Sequence, residues 1–393
     1  MKSDNLRLPA NAISVHQDAV TAISPKPPIS RMPPEVLSEI FKYYAMSVLH
    51  AQQPGNLSQI FSALDGEAYC DCSAQEYGYT WLKITEVCRY WREVALLSPR
   101  LWGDILVTHP QWMGKVLDRS GQAPLHVYAR LGSRPEKSDA LKIVFQKMHR
   151  VVTLNISLPR MWAPKLAEYL CDLPPSLTSL QLSLDRSTPR DMSHPDFSKI
   201  QLHSHRPQLR HVDVMGSPFM RWTSSILCAT ITTLSWRSSR YSQDNVKMSE
   251  ILGALGAMPC LESIVLENAI PATLVEEELP RAQIVTLPRL RTFKIYGDHF
   301  SSKTCATLLH RLCLPAISSV HLSCKPIETA SSLAGPLSAI LQGQAKIHAL
   351  SLKLTGYFLQ ICAWTSSTAE RSVSDISSAS DFFKDPWRPR AQS

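Results

Sequence analysis

The chain has 393 residues, 44% of them hydrophobic and 19% charged, with 41 Lys and Arg against 33 Asp and Glu for a formal net charge of +8. It is too apolar to be wholly disordered, and long enough for two or three domains or one long repeat array. The positive excess is mild and scattered, so charge gives little reason to expect nucleic-acid binding.

In chain order, residues 1–28 are polar and lead into the Pro-rich run SPKPPIS, which predicts an extended, disordered segment. They lack the apolar run of a secretion signal, and no stretch approaches the roughly 18 uninterrupted apolar residues of a membrane span. An intracellular, reducing location, cytoplasmic and/or nuclear, is expected. Pro33 and Pro34 suit the entrance of a helix, and Val36, Leu37, Ile40, Phe41 and Tyr44 form one face of it. The pattern dissolves over 46–78, an apparent insertion. Periodicity returns with Ile84, Val87, Cys88, Trp91, Val94 and Ala95, predicting a second amphipathic helix that Ser98-Pro99 ends before Leu101 and Trp102.

Beyond that, repetition dominates. The pattern apolar-x-x-apolar-x-apolar occurs as VVTLNI (151–156), LTSLQL (177–182), LRHVDV (209–214), ITTLSW (231–236), LESIVL (261–266), LRTFKI (290–295), ISSVHL (317–322) and IHALSL (347–352). Successive starts are 26, 32, 22, 30, 29, 27 and 30 residues apart, and Pro175, Pro207, Pro259, Pro288 and Pro315 each stand two residues before one. Helical spacing separates several of them, as in Leu166, Tyr169, Leu170 and Leu173, Ile251, Leu252, Leu255 and Met258, or Leu308, Leu309 and Leu312. Strand, turn, helix, strand predicts an α/β solenoid of parallel strands over 108–364. The Ser-rich run 365–393 is aperiodic and reads as a disordered tail.

The first helix pair resembles a known family. Met32-Pro33-Pro34-Glu35-Val36-Leu37 with Ile40-Phe41, then Val87-Cys88-Arg89-x-Trp91-x-x-Val94-Ala95 and Leu101-Trp102, is similar to the F-box pattern LPxExLxxIF … VCxxWxxxA … LW. The resemblance covers residues 29–107, with the insertion 46–78 between its halves. Inserted F-boxes with SPRLW and LDRSGQAPLHVYA (117–129) are similar to those of basidiomycete fungi. The resemblance implies a small helical unit that docks the Skp-type adaptor of an SCF (Skp–cullin–F-box) ubiquitin ligase, and through it a cullin. On that implication the adaptor-binding residues are Pro33, Pro34, Leu37, Ile40, Phe41, Val87, Cys88, Trp91, Leu101 and Trp102. Neither helix is long enough to be stable alone, and a partner would cover any apolar face left over. As ordinary bundle core the same residues would need no partner.

With the fixed apolar positions of each hexamer facing a core, positions 3 and 5 face the open side. Candidates for holding a target protein are His211, Asp213, Thr233, Ser235, Thr292, Lys294, Ser319 and His321; a solvated sheet face is the plain alternative. The repeats depart from the leucine-rich standard, since Asp185, Ser217, Ala269, Asp298 and Lys325 occupy the ninth position, where Asn or Cys is expected; Gly216, Asn268, Gly297 and Cys324 precede all but the first of them.

No GxGxxG, GxxxxGK[ST], GxSxG or HExxH occurs, and no Ser/His/Asp set stands out. The ten cysteines form no CxxC pair and sit mostly in apolar segments, the look of buried reduced thiols. The basic, His-rich stretch 185–211 (His194, His203, His205, His211) reads as an exposed loop. No enzyme activity, cofactor, metal or membrane is expected. The function indicated is a substrate receptor of an SCF ligase, with a non-ligase repeat scaffold as alternative.

Overall fold

A computed structural model describes residues 32–51, 79–131, 135–159, 163–170, 173–185, 208–216, 222–223, 226–238, 247–270, 284–325, 333, 335–337, 349–355 and 358–364. The expected disordered ends, most of the insertion and most of the His-rich stretch lie outside these residues. The chain divides into two compact units, 1–101 and 102–393. Trp102 therefore belongs to the second unit, ahead of the expected boundary at 107.

In the first unit, helix α1 spans Pro34–Ala51. Pro34 stands at its first turn, where a missing N–H costs nothing, and the Leu37 N–H bonds back to the Pro33 carbonyl at 3.1 Å. The helix runs past residue 46, into what the sequence presented as insertion. A 3₁₀ turn at Thr80–Lys83 leads to α2 (Ile84–Val87) and α3 (Arg89–Leu96). The single helix expected here is two, because Cys88 adopts an extended backbone (φ −160°, ψ 169°) and its Sγ accepts from the Trp91 N–H at 3.5 Å. Cys88 thus acts as the N-cap of α3.

The second unit is α/β. Its sheet has eleven strands in the order β1-β2-β3-β4-β5-β6-β7-β9-β11-β13-β12, and the first nine run parallel. These are β1 (Asp104–Leu106), β2 (Leu125–Arg130), β3 (Val151–Pro159), β4 (Ser179–Asp185), β5 (His211–Met215), β6 (Thr233–Arg237), β7 (Ser263–Glu267), β9 (Thr292–Ser301) and β11 (Ser319–Lys325). Between them lie α4 (Pro110–Arg119), α5 (Pro135–Phe145), α6 (Ala163–Leu170), α7 (Met248–Gly256) and α8 (Ser302–Leu309). The short strands β8 (Val285–Thr286) and β10 (Leu312–Cys313) form a separate parallel pair.

Seven of the eight hexamers supply consecutive parallel strands. Their fixed positions, from Val151, Leu154 and Ile156 through to Ile317, Val320 and Leu322, are all at most 2% exposed. Each such aliphatic side chain contributes about 1.5–3 kcal/mol of burial free energy, so the pattern is the core. The eighth hexamer differs from the expected continuation. Its strand β12 (Ala349–Thr355) does not follow β11 in the sheet; β13 (Phe358–Trp364) lies between them, antiparallel to both.

The prolines before the hexamers have a mechanical role. The N–H groups of Leu177, Leu261, Leu290 and Ile317 bond back to the carbonyls of Pro174, Met258, Leu287 and Leu314, closing turns with Pro175, Pro259, Pro288 and Pro315 at the second position. Proline's fixed φ suits that position. Position 2 of each hexamer then carries a backbone relay: Thr178 to Val152, Arg210 to Thr178, Thr232 to Arg210, Glu262 to Thr232, Arg291 to Glu262 and Ser318 to Arg291, all at 2.8–2.9 Å. The hydroxyls of Thr178, Thr232 and Ser318 donate to those same carbonyls at 3.2, 3.1 and 2.9 Å. A side-chain ladder thus fixes strand register at the entrance of the strands. At their exit, Gly216 (φ 99°) and Asn268 (φ 51°) take the left-handed backbone that turns the chain out. Gly297, by contrast, continues within β9.

Candidate functional site

The described structure offers two candidate surfaces, one on each unit. On α1 the apolar stripe splits. Leu37 and Phe41 are 0% and 1% exposed, whereas Val36, Ile40 and Tyr44 are 49%, 45% and 41% exposed, with Tyr43 exposed beside them. Phe41 packs on Trp91 of α3 at 5.1 Å between ring centroids, and the Tyr90 hydroxyl ties α3 to the Met32 carbonyl at 2.6 Å. Val87 and Leu97 are exposed at the ends of α2 and α3.

The ten residues expected to meet an adaptor therefore do not share one environment. Pro33, Pro34, Ile40, Val87 and Cys88 are exposed, Trp91 is half-buried, and Leu37, Phe41, Leu101 and Trp102 are buried. Trp102 belongs to the second unit, where its ring stacks under the Arg119 guanidinium at 4.5 Å and meets Trp112 edge-on at 6.4 Å. Its burial is explained by that packing.

On the sheet, the side chains at positions 3 and 5 fall into register rows. One row runs Tyr128, Asn155, Gln181, Asp213, Ser235, Val265, Lys294, His321 across eight strands. Three consecutive members form a hydrogen-bonded chain: Asn155 Nδ2 donates to Gln181 Oε1 at 2.7 Å, and Gln181 Nε2 donates to Asp213 Oδ2 at 3.3 Å. Arg237 Nη2 stands 3.7 Å from the same Asp213 oxygen. In the row at position 3, His126 Nδ1 and Thr153 Oγ1 are 3.0 Å apart.

Burial sets the electrostatics of this face. It raises the Asp213 carboxyl above its ordinary pKa, and the nearby Arg237 charge and Ser235 hydroxyl offset this only in part. Burial lowers His321 from 6.5 to about 4, helped by the Lys294 charge, so the imidazole is neutral at physiological pH. Tyr128 is pushed up to about 12 by burial and by Asp104, and remains a phenol.

Of the expected target-facing residues, His211 is exposed, Asp213, Thr233, Ser235, Thr292, Lys294 and Ser319 are half-buried, and His321 is buried. They do not form one cluster but a band across β5 to β11. Sequence reasoning stopped at position 5 and missed position 7, where Met215, Arg237, Glu267 and Tyr296 form the next register row. One further step of the same alternation reaches them.

Among the described residues no group of three or more His, Cys, Asp and Glu side chains is placed to hold a metal ion. No described helix is long and apolar enough to cross a membrane. The expectation of mostly buried thiols differs from what is observed: of Cys88, Cys228, Cys260, Cys305 and Cys313, only Cys305 is buried. The others sit at a helix cap, in turns and on the short strand β10, where an apolar neighbourhood in sequence does not mean burial. No protein-family model matches the chain, and no curated protein matches it in sequence.

Proposed function

We propose that the chain is a non-catalytic substrate receptor of an SCF-type ubiquitin ligase. In this reading the first unit is an F-box-like helical domain that docks a Skp-type adaptor and through it a cullin. The second is a leucine-rich-repeat-like solenoid whose open sheet face holds a target protein. The observation that carries the reading is the split stripe of α1: Leu37 and Phe41 are buried, while Val36, Ile40 and Tyr44 on the same helix stay exposed. Large apolar side chains grouped on one exposed helix face are the usual mark of an interface, and helix-in-groove packing would cover them.

The chain's own residues then move no proton and form no bond. They bind and orient: the helical unit fixes the receptor to the ligase, the sheet fixes the target, and ubiquitin transfer occurs on other subunits at raised effective concentration.

Co-purification of the full chain with a fungal Skp-type adaptor tests this. Stoichiometric binding that Val36→Asp with Ile40→Asp abolishes, while the variant keeps its melting temperature, is the expected result. A folded wild-type chain that leaves the adaptor in the flow-through would overturn it in favour of a repeat scaffold outside any ligase.

A further inference from the structure

Three neighbouring strands on the open face carry six side chains in two register rows: Asp213, Ser235 and Val265 in one, Met215, Arg237 and Glu267 in the next. Two carboxylates stand at opposite corners of this array, with one guanidinium between them in register. Its local charge is negative in a chain whose net charge is +8.

Arg237 does not saturate Asp213. Their closest approach, 3.7 Å, is longer than an N–H to oxygen hydrogen bond. Asp213 Oδ2 does accept from Gln181, which Asn155 holds in place from the next strand. Asp213 Oδ1 and Ser235 Oγ, on register-paired residues, have no partner in hydrogen-bond geometry, although the Ser235 hydroxyl is near enough to hold the Asp213 pKa down in part. Buried acceptors without a donor are unfavourable until one arrives. The Asp213 side chain is 29% exposed, and rotation about its broad terminal torsion turns either oxygen outward.

We propose that Asp213, with Ser235 beside it on the paired strand, is the seat for a basic side chain, an arginine or a lysine, of the protein this face holds. The inference rests on reading the face as the target-binding surface. A planar guanidinium suits it best, because its forked donors can meet a carboxylate oxygen and a hydroxyl at once. Met215, two residues along the same face of β5 and half-buried, gives its methylene stem an apolar neighbour. The raised pKa of Asp213 agrees: its charge is poorly stabilised in the free protein, and an arriving cation relieves that.

The test is titration of the full-length protein with a capped tetra-arginine peptide by calorimetry at low salt, with capped tetra-glutamate as counterpart. The account expects saturable binding of tetra-arginine, reduced about tenfold or more by Asp213→Asn. Asn at 213 can still accept from Gln181, so the melting temperature should be kept. Asp139→Asn, which removes an exposed carboxylate on α5, should bind as wild type. No saturable binding to wild type, or equal binding to Asp213→Asn, overturns the proposal. Retained adaptor co-purification by Asp213→Asn, whose change lies in the second unit, separates this failure from failure of the receptor reading.

Discussion

The sheet and the first helix use apolar residues in opposite ways. In the sheet, all three fixed positions of seven hexamers are at most 2% exposed, so the repeat's apolar content is consumed by its own core. In α1, five apolar residues share one face and only Leu37 and Phe41 are buried. The same pattern of spacing thus marks self-sufficient packing in one unit and a surplus in the other. That surplus is the physical ground for expecting a partner on α1 rather than on the apolar side of the sheet.

Substitutions sharpen this contrast. Phe293→Ala, on the interior strand β9 and 0% exposed, should cost roughly 3–5 kcal/mol in urea unfolding, since it leaves a cavity among packed neighbours. An effect below about 1 kcal/mol would mean the sheet core is loose.

A pH series probes the open face next. His321 is held at about 4 against an ordinary 6.5, so between these values the unfolded chain binds a proton that the native chain does not. Its contribution to stability is therefore full above 6.5 and is lost as pH falls towards 4. On the order of 1–3 kcal/mol should disappear over that range and His321→Gln should flatten the slope. Parallel slopes for wild type and variant would contradict the burial of the ring.

The hydroxyl ladder predicts a smaller effect. Thr232→Val keeps shape and β-branching but removes the donor to the Arg210 carbonyl, and should cost about 0.5–1.5 kcal/mol by thermal melting. The smallest change is expected on α1: Ile40→Asp should cost no more than about 1 kcal/mol of unfolding free energy, because the side chain is 45% exposed and leaves no closed cavity.

The sheet was largely legible in the sequence because side-chain alternation has a fixed period, and seven hexamers repeat it in register. What escaped had physical reasons. Strand β2, LHVYAR, alternates buried Leu125, Val127 and Ala129, but lacks the hexamer's spacing, so the sheet's start was hidden. The eighth hexamer obeys the motif, yet β13 pairs with β11 in its place, a choice of partner that local pattern does not encode. The break at Cys88 depends on one backbone torsion within an otherwise helical spacing. Of the candidate sites, single residues were legible and their grouping was not: Asp213 was named from position 5, but its neighbour Arg237 needed the register of two strands.

The most direct test of the central claim is the affinity of a Skp-type adaptor for two variants that differ only in which unit loses an exposed apolar residue. Ile40→Asp on α1 is set against Ile284→Asp just before β8, which is also exposed. The account predicts that Ile40→Asp weakens binding by about 2 kcal/mol or more, while Ile284→Asp binds as wild type. Equal affinity of both variants for the adaptor would contradict it.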